Sequence, residues 1–206
     1  YEKKPGRLNR RIRYETFLTA LNYLSFALAK LPYMGVGRNL SYQKGLFFST
    51  NGFFDHRHIP SGDDDLFINQ ACTKENTNIA VSHNAITYSL AKKNFSDWKR
   101  QKQRHLTTAP HYNSSSKTKI SLGYTSQYGF HFMFLTLFLF KTTMLAALVG
   151  LVLKICVQMI IFKKASKKLN ETDLWALSFF YEVVLLAVYP IFHISKMFHK
   201  PNKWKS

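Results

Sequence analysis

From Tyr128 to Phe162 the chain is mostly Phe, Leu, Met, Val, Ala and Ile, interrupted by Lys141, Lys154 and Gln158. A single helix of ~35 residues would reach ~52 Å, well beyond a hydrocarbon core of ~30 Å. The run therefore divides near Lys141-Thr142-Thr143 into two expected membrane spans, residues 124–140 and 143–162. A third span is expected over residues 174–195, and it contains Glu182 and Pro190. An ionisable side chain inside a span is costly and faces protein or water, so Glu182 reads as a packed helix–helix contact. Lys163-Lys164-Ala165-Ser166-Lys167-Lys168 forms a basic loop, expected on the cytoplasmic side. The basic tail, residues 199–206, would lie opposite that loop if three spans cross, so two or three spans are expected.

The chain has 206 residues and a formal charge of +18. Such an excess suits nucleic acid or an anionic membrane. The basic residues are dispersed, with no zinc-finger spacing, no RNA-binding aromatic signature and no heptads beside a basic region, so no nucleic acid is expected as a partner. Cytoplasmic flanks of membrane helices account for the charge through the positive-inside bias and attraction to membrane lipid. Cys72 and Cys156 are the only cysteines, one in the polar half and one in an apolar run, which suits neither a disulfide nor a metal site. No signal peptide is evident, and the opening Tyr1-Glu2-Lys3-Lys4-Pro5-Gly6 reads like the middle of a longer protein.

The first ~120 residues are polar and basic. Arg7 to Lys30 has helical periodicity with a broad apolar stripe, ending at Leu31-Pro32 because the residue before proline avoids helical backbone. Gly35 to Tyr42 reads as a short strand, Gln43 to Thr50 as a helical turn, and Asp63 to Glu75 as a helix. Residues 78–82 and 85–90 alternate as two short strands. A further helix opens at Asn94, with Ser96 or Asp97 as cap. Ser114-Ser115-Ser116-Lys117 begins a linker, residues 114–123. In Asp55-His56-Arg57-His58 the residue types suit a metal, but adjacent side chains diverge.

The most unusual stretch is Ser61-Gly62-Asp63-Asp64-Asp65-Leu66-Phe67. Adjacent carboxylates repel, which raises at least one pKa and suits proton transfer or cation binding. An acidic helix start, with Ser61 or Asp63 as cap, accounts for the same residues. About 40 residues on comes a second cluster, Trp98-Lys99-Arg100-Gln101-Lys102-Gln103-Arg104-His105.

Together these segments resemble the family 2 glycosyltransferases. Gly62-Asp63-Asp64 is similar to the family's Gly-acid-Asp motif, and Gln101, Arg104 and His105 to its Gln-x-x-Arg-Trp motif, with His for Trp. Gly35 to Tyr42 and Asn51-Gly52-Phe53 resemble the glycine-led strand and Gly-Phe turn that precede the acidic motif. The resemblance implies an α/β fold: the C-terminal half of a GT-A-like domain over residues 1–113, followed by the linker and by transmembrane helices within residues 124–198. It implies Asp64 as catalytic base, with Asp63 as fallback. It also implies Gly62, Gln101, Arg104, His105, Arg38 and Tyr42 as substrate-binding residues.

The implied activity is inverting transfer of a sugar from a nucleotide-sugar donor to a lipid-linked or polysaccharide acceptor, at a bacterial inner membrane. The implied cofactor is a divalent cation, Mg2+ or Mn2+, bound mainly by a nucleotide-binding half with an Asp-x-Asp motif that these residues lack. No metal ligand is expected within this chain. A different class, a non-enzymatic basic membrane protein docking on anionic lipid or a partner, fits the composition too.

Overall fold

The computed structural model describes residues 1–59 and 61–198, with His193 and residues 195–198 described by backbone alone. The expected basic tail at 199–206 lies outside the described residues. Among the latter the chain is helical, with no strand. Seven α-helices follow in order: α1 Arg7–Leu28, α2 Lys44–Ser49, α3 Asp63–Ala71, α4 Phe95–His105, α5 Ser114–Phe138, α6 Met144–Lys168 and α7 Ser178–Phe198.

The expected α/β fold is therefore wrong for these residues. Gly35 to Tyr42, read as a strand, is extended at Val36 and Leu40 but tightens into a 3-10 turn at Gly37–Asn39. Residues 78–82 and 85–90 flank a second such turn, His83–Ala85. Their alternation marks an extended, half-buried backbone, but no neighbouring strand supplies a ladder. Their polar bonds go elsewhere: Asn39 Nδ2 donates to the Ala85 carbonyl at 2.7 Å, and Thr87 Oγ1 donates to the Arg38 carbonyl at 3.0 Å.

The expected linker is also corrected, because residues 114–123 are the first turns of α5. Asn113 caps that helix, its side-chain oxygen accepting from the Ser116 N–H at 2.8 Å. Ser116 is buried, and its hydroxyl accepts from Asn69 Nδ2 at 2.9 Å. A serine-rich run here is a helix start rather than a flexible joint. Similarly, α4 is capped by Asn94, which accepts from the Asp97 N–H, and not by Ser96 or Asp97.

Three apolar clusters hold the helices together. Tyr14 and Phe17 of α1 meet Phe162 of α6, Leu174, and Tyr181 and Leu185 of α7. Ile12, Trp98 and Phe192 join α1, α4 and α7. Tyr33, Leu66 and Tyr112 pack α3 beneath Tyr23, Phe26 and Ile120. Burying a large apolar side chain contributes about 1.5–3 kcal/mol, so these contacts set how α1, α3 and α4 face one another.

Two helices are long and apolar enough to cross a bilayer: Met144–Lys168 and Trp175–Phe192. Their apolar windows are only 11% and 28% buried, unlike core helices of a soluble fold. The expected span at 124–140 falls in α5 and does not meet that standard among the described residues.

In α7, Pro190 lacks the N–H that would bond the carbonyl four residues back. Tyr128 of α5 satisfies that carbonyl, its hydroxyl donating to Leu186 O at 2.8 Å. Glu182 forms an ion pair with Lys154 of α6, both carboxylate oxygens lying 2.8 Å from Nζ.

Candidate functional site

A cavity of about 1500 Å³ opens between α1, α3 and the C-terminal end of α4. Three segments far apart in sequence meet in its wall: Gly37 and Arg38, then Gly62 to Asp65, then Arg104 and His105. The backbone places them there for identifiable reasons.

Gly62 adopts φ +88° just before α3, a left-handed conformation natural to glycine. A Cβ at Gly62 would lie 2.2 Å from Thr108 Cγ2 and 2.5 Å from Asp65 Oδ1. The turn therefore packs directly against the segment following α4. Leu66 N–H donates to the Gly62 carbonyl at 2.8 Å, closing the first turn of α3.

The three acids then take different roles. Asp63 is exposed at the start of α3. Asp64 is half-buried in the cavity wall, where its Oδ2 accepts from the Gly37 N–H at 2.5 Å and its Oδ1 from the Asp65 N–H at 2.9 Å. A Cβ on Gly37 would stand 3.2 Å from Asp64 Oδ2, so the absent side chain permits this approach.

Asp65 turns inward and is buried, accepting at Oδ2 from Thr108 Oγ1 at 2.9 Å and from Tyr112 Oη at 2.5 Å. Desolvation raises its pKa to about 6, against the lowering effect of the Tyr112 and Thr108 bonds. Burial, and then the neighbouring Asp65 charge, push the Tyr112 phenol well above its ordinary range. Asp65 thus anchors α3 to the segment that follows α4.

From the end of α4, His105 reaches the cavity. Desolvation, with Lys102 and Arg104 adding to it, pushes its pKa down to about 4, while Asp64 pulls the other way. The shift favours the neutral imidazole near pH 7, on a residue that is itself exposed. Arg38 is exposed in the cavity wall, its guanidinium 4.3 Å from the Tyr1 ring centre.

Two of the expected residues stand apart from the cavity. Tyr42 packs on Phe47 and Phe67, with ring centres 5.8 and 4.6 Å away. Gln101 points to Tyr1, donating from Nε2 to its hydroxyl at 3.3 Å. On α4 the residue beside it, Lys102, is the one that enters, and it meets Glu15. Glu15 was not singled out from the sequence, although it is an acid on the buried stripe of α1 between Ile12 and Leu18.

The carboxylates do not make a cation cage. Asp64 and Asp65 turn to opposite sides and are bonded to Gly37, Thr108 and Tyr112. Among the described residues no three His, Cys, Asp or Glu side chains converge as metal ligands. In Asp55-His56-Arg57-His58, Asp55 accepts from Gln70 Nε2 at 2.9 Å and His56 is buried beside Phe53.

In comparisons with family models, curated proteins and solved structures, the chain matches none.

Proposed function

We propose that the cavity carries out inverting glycosyl transfer, with Asp64 as the base. The observation that supports this reading is the convergence of Gly37, Asp64, Arg104 and His105 around one cavity, since these residues carry the resemblance yet are dispersed along the chain. Its volume exceeds the usual range for a small-molecule site, leaving room for two reactants.

In this reading the acceptor hydroxyl lies against the Asp64 carboxylate. Asp64 takes its proton as the hydroxyl oxygen bonds to the anomeric carbon of the donor, and the bond from that carbon to the nucleoside diphosphate breaks. The departing diphosphate carries the electron pair and is met by Arg104, whose planar guanidinium suits phosphate oxygens. His105, neutral near pH 7, can donate or accept one hydrogen bond to a sugar hydroxyl and add no charge. The Gly37 N–H holds the Asp64 carboxylate in place, at the outset of the reaction and as it becomes an acid.

A divalent cation would be held outside these residues, since their carboxylates do not converge on one. The two mostly unburied apolar helices, α6 and α7, support a membrane setting, with the Lys163–Lys168 end of α6 at the cytoplasmic surface. Membranes carrying the chain, expressed from its native reading frame, should incorporate label from one member of a nucleotide-sugar panel. Asp64→Asn should abolish that incorporation while the protein remains folded and inserted.

A further inference from the structure

A second cavity, of about 480 Å³, lies along α6 where that helix meets α1 and α7. Its wall includes Leu153, Val157 and Ile161 of α6, which are exposed, so the groove opens on the side that a bilayer would cover. Leu18 and Gln127 line both this groove and the Asp64 cavity, making the two spaces neighbours across shared side chains.

The groove's charges are settled internally. Lys154 bonds both oxygens of Glu182 at 2.8 Å and the Gln158 carbonyl oxygen at 3.3 Å, and it stands over the Phe130 and Phe179 rings at 5.2 and 5.4 Å. The pair has no net charge with which to capture a free ion. Gln158, itself buried, is left with Nε2 lacking any hydrogen-bond partner. A buried amide donor without an acceptor is unfavourable, and an oxygen from an occupant would satisfy it.

We propose that this groove takes the hydrocarbon chain of a single-chain lipid whose polar head lies toward the Asp64 cavity. Apolar walls suit the chain, and the Gln158 amide marks where the chain meets its first oxygen. The volume is near the lower end for ligand sites, so it admits one chain and not the paired chains of a bulk phospholipid. The inference deepens the proposed glycosyl transfer, and rests on that reading only for what the lipid is used for: the groove would seat the tail of a lipid-linked acceptor.

The test uses the full chain in nanodiscs of phosphatidylethanolamine and phosphatidylglycerol, with a decyl glucoside bearing a photoreactive diazirine on its chain. Labelling should concentrate on Leu153, Val157 and Ile161 rather than on Leu145, which is more exposed on the same helix. It should be displaced by unlabelled decyl glucoside and not by glucose. Val157→Trp, which fills the groove from a lipid-facing position, should lower the labelling roughly tenfold; Ile161→Trp is the second variant and should act alike. Asp64→Asn should label as the unaltered chain does, whatever happens to transfer. Labelling spread evenly along α6, or unchanged in both Trp variants, would overturn the groove and leave the Asp64 reading standing.

Discussion

Lys102 Nζ lies 2.5 Å from Glu15 Oε2, and this ion pair joins α4 to the middle of α1 at the edge of the Asp64 cavity. Glu15 is only 3% exposed. Thr19 Oγ1 also reaches it, 3.3 Å from Oε1. The pair fixes which face of α4 is turned inward, and hence where Arg104 and His105 stand. Removing one partner of a buried pair leaves an uncompensated charge, at a cost of about 3–5 kcal/mol. Glu15→Leu should therefore destabilise the protein by about that much. Glu15→Leu with Lys102→Met should recover most of the loss. Denaturant unfolding of the two single variants and the double variant measures the coupling, and strictly additive effects would remove this role for the pair.

Gly62 should tolerate no side chain. Its φ of +88° is strained for alanine, and the added Cβ would overlap Thr108 and Asp65. Gly62→Ala should cost more than about 2 kcal/mol. Gly45→Ala, where nothing lies within 4 Å of the new Cβ, is the matched control and should change the thermal midpoint little. Equal effects at the two positions would contradict the packing described for the acidic turn.

Asp65 gives a pH dependence of defined sign. Its folded pKa of about 6 lies above the ordinary value near ~4, so the folded state binds this proton more tightly than the unfolded state does. The stability it contributes is fully present below about pH 4 and is lost as pH rises through about 6, a change of order 3 kcal/mol. Asp65→Asn should flatten the decline of the unfolding midpoint across that window. A profile that declines just as steeply in the variant would assign the titration to another group.

Arg13 holds Glu171 and Asp173 of the loop between α6 and α7, its Nη1 donating to Asp173 Oδ2 at 3.0 Å and its Nε to Glu171 Oε2 at 3.0 Å. The guanidinium bonds and charge draw the Asp173 carboxyl down to about 2, outweighing the desolvation that opposes them. A depressed carboxyl contributes stability above its unfolded pKa near ~4, and that stability disappears as pH falls through 2. Arg13→Met should make unfolding less sensitive to acid between about pH 4 and 2, while lowering stability at neutral pH. Thermal melts over that range provide the check.

The helices with strong local signals were legible in the sequence. Arg7–Leu28 follows from its apolar stripe and the proline beyond it, and the first part of Met144–Lys168 from its largely apolar run, whereas Lys163 to Lys168, expected as a basic loop, are the last turns of that helix. Residues 78–90 were not legible, because alternation specifies an extended backbone but not whether a partner strand lies beside it. The serines after Asn113 read as a joint for a related reason: the same residues serve helix caps and flexible joints, and the buried Asn69–Ser116 bond that decides between them comes from 47 residues away. At the site, Gly62, Asp64, Arg104 and His105 were visible as motifs. Glu15 was not, since its importance rests on meeting Lys102 across the fold.

The most direct measurement compares labelled-sugar incorporation by membranes carrying the unaltered chain or Asp64→Asn, both expressed from the native reading frame, with insertion and thermal midpoint determined on the same preparations. Incorporation from one nucleotide sugar is expected, and it should fall at least a hundredfold in the variant, as for removal of a general base, with insertion retained and the midpoint lowered only by the loss of one of the two backbone N–H bonds that Asp64 accepts. Incorporation by a folded Asp64→Asn protein at the unaltered rate would contradict it.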